Sequence, residues 1–384
     1  MTGIPSDPRT ELNTLRNLLR EDARNPVLLR HCARLALELS DSAEALEFAT
    51  AAARLTPNDP EARFHQSSAL IGLGRYAEAV SLLTTLRGYA VAQPAIDTNL
   101  VLCYYALGDY AAARPVLDAL IASGSPSADV VRLTVSTLHH LGDLSSALAV
   151  ADAHAELGTR DGAVAGVYAL VYLDDGQAAR AARYARHALA ANSASIEGLT
   201  VEATLKLVKL ETASAEQQFR YALTLMPSNG RAWVGLGTIA LLAQDLPRAT
   251  ECLERGVAVM PSHVGSWQVL GWAHLLAGNL DAAERMFAHA LEMDRNFAEA
   301  HGSMASIHAL RGRAAEARKE IQVAERLDPK GLAARFAEAV LLGRAGDPEA
   351  GRALILQTAS SLAPLLGGRA VRLLAKAGAA PTRH

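Results

Sequence analysis

Along most of this chain, apolar residues return every three or four positions, the spacing that gathers them on one face of a helix. The pattern also repeats over a longer distance. Ala45, Ala79, Ala113, Ala147, Ala181, Ala215, Ala249, Ala283 and Ala317 recur at every thirty-fourth position, and the next step reaches Gly351. Were alanine about one residue in five, chance would produce such a run on the order of once in a million, so it marks a repeat array. A second ladder keeps the same phase: Gly74, Gly108, Gly142 and Gly176, resuming at Gly278, Gly312 and Gly346. Each glycine closes an apolar helical stretch, where a left-handed residue ends a helix and turns the chain. Pro57, Pro227, Pro261 and Pro329 mark the far end of the unit. Proline there stops a second helix.

Counted from Pro26, the ladders predict ten units of this one length over 26–365, with no insertion or deletion. Each unit reads as helix A, a turn at the glycine, helix B and a short loop. The helix B alanine has a steric reason, because two antiparallel helices approach closely only over a small side chain. Residues 1–25 are expected to form an N-terminal capping helix. Asp7 would be its N-cap ahead of Pro8, with Leu12, Leu15, Leu18 and Leu19 on its apolar face. Residues 366–384 are expected to form a C-terminal capping helix, with a basic face from Arg369 to Lys376, and a frayed tail. Two units are expected to be distorted. His154 occupies a place in helix B suited to a small residue, and Glu338 occupies a usually apolar place in helix A.

The residues at these places resemble tetratricopeptide repeats. Unit 230–263 carries Trp233, Leu236 and Gly237 in helix A, then Ala249, Leu253 and Gly256 in helix B, and ends with Pro261. Unit 264–297 follows with Trp267, Leu270, Gly271, Gly278, Ala283, Phe287 and Ala290, but has Arg295 where proline is expected. Unit 298–331 keeps Ala305, Gly312, Ala317, Ile321, Ala324 and Pro329, with His301 in the tryptophan position. The resemblance implies an all-α, right-handed superhelical solenoid of antiparallel helix pairs, whose helix A row lines an inner face that binds a partner. The column at the twelfth place of each unit supplies Tyr105, His139, Leu173, Leu207, Leu241 and Leu275 as candidate contacts. Neighbouring columns add Phe64, Leu102, Leu170 and Trp272. Some of these leucines are equally well read as packing between helices.

Two ligand modes of that family find little support. A clamp for a terminal carboxylate would need bases and asparagines over three units, and only Arg30 and Arg34 form a basic pair in suitable columns. An asparagine ladder is reduced to Asn99, with His65, Leu133, Val201 and Val269 at the matching positions.

Composition narrows the picture without changing it. Hydrophobic residues make up 50% of the chain, yet aromatics are only 5%, which favours closely packed helices. The formal net charge of −3 offers no basic stripe for nucleic acid. No stretch approaches the ~18 apolar residues of a membrane span, and the N-terminus lacks the pattern of a signal peptide. Cys32, Cys103 and Cys252 are far apart and read as small core residues, which suits a reducing cytoplasm. Phosphate-binding, nucleophile-elbow and zinc-protease motifs are all missing, so no catalytic, cofactor or metal residue is assigned. His274, His301 and His308 could be imagined around a metal, but histidine replacing a packing aromatic explains them more simply. Glu44, Glu78, Glu284 and Glu316 read as solvated faces. The functional expectation is a noncatalytic scaffold, adaptor or chaperone that binds a helix or extended segment of a partner protein in its groove, and the resemblance to the repeat family implies a place in a bacterial secretion or assembly pathway. A noncatalytic accessory subunit that positions an enzyme's substrate, and a self-assembling scaffold, remain as alternatives.

Overall fold

A computed structural model describes residues 7–87, 93–124, 126–354 and 357, and these contain helices and turns but no strand. The chain divides into two compact units, Met1–Leu157 and Gly158–His384. The first holds α1 (Pro8–Glu21) and then four helix pairs. These are α2 (Pro26–Glu38) with α3 (Ser42–Leu55), α4 (Pro60–Gly72) with α5 (Tyr76–Leu86), α6 (Gln93–Leu107) with α7 (Tyr110–Ala122), and α8 (Ala128–His140) with α9 (Leu144–Ala153). The short α10 (Leu157–Arg160) lies at the division.

The second unit continues the alternation. It holds α11 (Gly162–Asp174) with α12 (Ala178–Ala191), α13 (Ile196–Val208) with α14 (Thr212–Leu225), and α15 (Gly230–Leu242) with α16 (Leu246–Val259). Then come α17 (Val264–Leu276) with α18 (Leu280–Met293), α19 (Ala298–Leu310) with α20 (Ala314–Leu327), and α21 (Leu332–Arg344), followed by a helical stretch over 348–354. Each unit is thus an all-α repeat solenoid of antiparallel helix pairs. Helix B opens at 42, 76, 110, 144, 178, 212, 246, 280 and 314, the same interval as the alanine ladder at every step.

The two ladders explain this regularity. Every alanine of the ladder, Ala45 through Ala317, is fully buried. At Gly351 the crossing is tighter still, since an added Cβ would lie 2.6 Å from the Ala339 carbonyl oxygen. At the turns, Gly74 has φ 72° and its N–H donates to the Ile71 carbonyl, while the Arg75 N–H donates to Leu70. That is the Schellman arrangement for closing a helix. The same positive φ holds at all ten steps of the column, including Ser40 (60°), Leu210 (65°) and Gln244 (66°), where the glycine ladder is interrupted. The stacked geometry imposes the turn even without glycine.

Side chains cap most of the helix starts. Asn25, Asp59, Ser127, Asp161, Ser195, Asn229 and His263 cap helices A, and Asp41, Asp109, Asp143, Asp245 and Asn279 cap helices B. Gly331 has no side chain to give α21. Glu299 of α19 reaches across instead, accepting from the N–H groups of Leu332 (2.9 Å) and Ala333 (3.3 Å).

Four expectations need correction. Asp7 does not cap α1 through its side chain, which accepts from the Thr10 hydroxyl instead. Leu18 is exposed, whereas Leu12 and Leu15 are buried against α2. Glu338 leaves α21 regular, because its side chain is on the solvent side. The carboxylates at Glu44 and Glu284 are not merely solvated. Glu44 holds Arg16 of α1, and Glu284 holds Arg311 (2.7 Å). The break expected at His154 does occur: α9 ends at Ala153, short of the helix B length elsewhere, and the chain divides nearby. Beyond it Gly158 lies against Tyr168 and Tyr184, where a Cβ would come within 2.5 Å of a ring. The expected helix from Arg369 to Lys376 lies outside the described residues.

Candidate functional site

Within each unit, helix A of one pair packs on helix A of the next, with α17 and α19 joined through the Gln268–Ser303 hydrogen bond, so the A helices form a row. In the second unit a side-chain pair shows which way that row curves. Arg231, near the start of α15, forms a two-pronged contact with Asp174, the last residue of α11; Nη1 to Oδ1 is 2.9 Å, and Nη2 meets Oδ2. Helix α13 lies between them in the row. Neighbouring helix axes are about 8–10 Å apart, and a helix of this length runs for about 20 Å. The end of α11 can meet the start of α15 only if the row bends toward these side chains and its helices rotate from one to the next. The A side is therefore the concave side across α11, α13 and α15.

The candidate contacts fall into three groups. Leu102, on α6, is exposed, at 43%. Phe64, Tyr105, His139, Leu170, Leu173, Leu207, Leu241 and Trp272 are half-buried, with one side available and the other engaged. Leu275 is buried, at 6%, among Ala283, Phe287 and Ile307. It belongs to the core, because α18 of its own pair and Ile307 of the next close over it, and it drops out of the candidate face.

Engagement differs among the half-buried residues. The Tyr105 hydroxyl is 2.8 Å from Ser136 Oγ on α8, and its ring meets Tyr110 edge-on at 5.3 Å. Tyr110 stacks flat on His140 at 4.2 Å, and burial raises its phenol pKa. Trp272 packs edge-on against Phe287 and Phe336, which makes it as much a structural residue as a surface one. Leu207 and Leu241 each pack against core clusters.

The basic pair suggested for a carboxylate clamp is already engaged. Arg30 holds Asp59 (2.9 Å) and Glu61 (2.8 Å), and Arg34 holds Glu38 and faces His31. Pairing alone could not be read from the columns, since the partners sit on other turns and helices.

Of the three histidines considered for a metal, His301 has structural partners in the place of a tryptophan. Trp233 Nε1 donates to the Pro227 carbonyl at 2.9 Å and Trp267 Nε1 to Pro261 at 2.8 Å. His301, in the same column, places Nε2 3.0 Å from the Arg295 carbonyl and Nδ1 2.6 Å from Glu320 Oε2. It thus keeps the tryptophan's tie to the preceding loop. Among the described residues, no three His, Cys, Asp or Glu side chains come together as a metal cluster. Cys32, Cys103 and Cys252 are buried and free, and burial pushes the thiols of Cys32 and Cys103 up to about 11.

Comparison with known proteins bears on the repeat. Two tetratricopeptide repeat models match, one over residues 70–134 and the other over 33–95, 200–258 and 269–331, together more than half of the chain. No curated protein matches it. Among solved structures, the Cut9–Hcn1 hetero-tetramer of APC/C is similar at 14% identity, with 97% of this chain and 93% of that chain covered and a TM-score of 0.47. The pilF protein of Pseudomonas aeruginosa is similar at 18% identity, covering 52% and 91%, with a TM-score of 0.40. MamA is similar at 19% identity, covering 41% and 93%, with a TM-score of 0.34.

Proposed function

The chain belongs to the tetratricopeptide repeat family, and from that premise we propose that it is a noncatalytic scaffold holding a helix or extended segment of a partner protein along the helix A faces of its two units. Repeats of this family are in general protein-interaction modules. The observation that carries the reading is the composition of those faces. On the first unit Leu102 is exposed and Phe64 half-buried, and on the second Leu170 and Leu173 are half-buried apolar side chains, while the bases at Arg30 and Arg34 are already neutralised. Such a face suits apolar side chains of a partner better than a terminal carboxylate.

The organisation proposed with it is a cap over 1–25, ten repeats over 26–365 and a second cap over 366–384. Regular helix starts from Pro26 onward support the repeats. Among the described residues, no helix is long and apolar enough to cross a membrane. The compartment proposed is the cytoplasm, supported by three buried thiols that form no disulfide.

The test pairs affinity purification with two substitutions on these faces, Leu102→Asp and Leu170→Asp. Burying a leucine contributes about 1.5–3 kcal/mol, so each variant should lose about tenfold or more in affinity for the purified partner while keeping its circular dichroism. Full retention of the partner by both folded variants would refute the reading.

A further inference from the structure

The Asp174–Arg231 contact differs in kind from the other ion pairs named above. Arg16–Glu44, Arg30–Asp59 and Arg311–Glu284 tie neighbouring pairs of helices. Asp174 and Arg231 are 57 residues apart and skip a whole helix pair. Their side chains are 20% and 17% exposed, so the pair is still reached by solvent and by salt.

Local helix energetics disfavour both charges. Asp174 is the last residue of α11 and Arg231 the second of α15. The helix dipole repels an acid at the C-terminal end and a base at the N-terminal end. Each residue is therefore at an unfavourable helix end, and the pairing offsets that cost. Nor does the repeat require the pair. In the same two columns later in the unit stand Val208 with Gly265, Leu242 with Glu299, and Leu276 with Ala333, none of which can form it. Helix α13, between them, has its own pair, Glu202–Lys206 at 2.9 Å.

We propose that Asp174 and Arg231 form a latch that closes the concave A face over α13, and that this latch must open before a partner segment can lie along Leu170, Leu173 and Leu207. The proposal rests on the partner-binding reading of the face and adds its regulation: a competing charge on the partner, or a rise in ionic strength, opens the face. An ion pair suits this task, because its strength depends on screening and on competing charges.

The test needs no partner, so its failure would leave the binding reading standing. Spin labels at Arg186→Cys on α12 and Glu254→Cys on α16, both exposed positions, report the distance between the helix pairs that the latch joins. In the full chain at low salt, a single narrow distance distribution is expected. Asp174→Asn should shift and broaden it, and so should about 1 M salt with the native pair, where the screening length falls to roughly 3 Å. The exchanged variant, Asp174→Arg with Arg231→Asp, should restore the narrow distribution. An unchanged distribution in Asp174→Asn and at high salt would overturn the latch. So would a shift in Asp174→Asn that the exchanged pair, folded by circular dichroism, does not reverse.

Discussion

Leu210 ends α13 with φ 65°, a conformation that costs an ordinary side chain about 1–2 kcal/mol and glycine little. Glycine gives back part of that advantage through the greater freedom of its unfolded chain, roughly 0.5–1 kcal/mol. Leu210→Gly should therefore stabilise the second unit by about 0.5–1 kcal/mol, read as a higher urea midpoint. A midpoint that fell would show that the half-buried leucine contributes more by packing than it costs by strain. His65 makes a second residue-scale case. Burial holds its imidazole below the ordinary value of 6.5, and Nδ1 has no hydrogen-bond partner. The unfolded chain takes up a proton near 6.5 and the folded chain only at lower pH. Stability is thus fully present above about 6.5 and declines as the pH falls toward the lowered folded value. Between pH 7.5 and 5, the urea midpoint should fall more steeply in the native protein than in His65→Asn. Parallel pH profiles would rule this histidine out as the source.

At the scale of single helices, caps matter more than propensity. Gly331 leaves the start of α21 without a side-chain acceptor, and Glu299 supplies one from α19. That contact also ties the two helices, which approach so closely that a Cβ on Gly302 would lie 2.4 Å from the Ala334 nitrogen. Losing a cap costs about 0.5–2 kcal/mol. Glu299→Ala should therefore speed hydrogen exchange at the amides of 332–335, leaving α11 to α16 unchanged. Exchange rates like those of the native protein at those amides would mean that solvent replaces the cap without loss. The column position of Glu299 was readable in advance, but its partner was not. Its acceptor role depends on an absence in the following repeat, at Gly331, and on how α21 crosses α19.

At the scale of the molecule, the division near residue 157 predicts two unfolding events. All three tryptophans, Trp233, Trp267 and Trp272, lie in the second unit. Tryptophan fluorescence therefore follows that unit alone, while far-ultraviolet circular dichroism follows both. The two urea curves should not coincide, and Ala79→Leu, which overpacks a fully buried site by about 1–3 kcal/mol, should move the dichroism curve and not the fluorescence curve. Coincident curves that move together would mean that the chain unfolds as one cooperative block.

The repeat length, the order of helices, the turn positions and the buried alanines were all legible in the sequence, because each is a local requirement stated again in every repeat. A glycine closes one helix, and an alanine lets two adjacent helices cross; both effects act within one repeat. Even there the ladder was incomplete, since Ser40, Leu210 and Gln244 take the glycine conformation under the pressure of the stack. The candidate face was legible only as columns. A column gives the direction of a side chain around its own helix, whereas exposure depends on what the next helix pair places over it. That is why Leu102 and Leu275, from neighbouring columns of the repeat, end at 43% and 6% exposure. For the same reason only the tertiary structure could show that Arg30 is already engaged, and that Asp174 meets Arg231 across an intervening helix pair. Local sequence determined the repeat; the curvature of the stack decided which side chains meet across it.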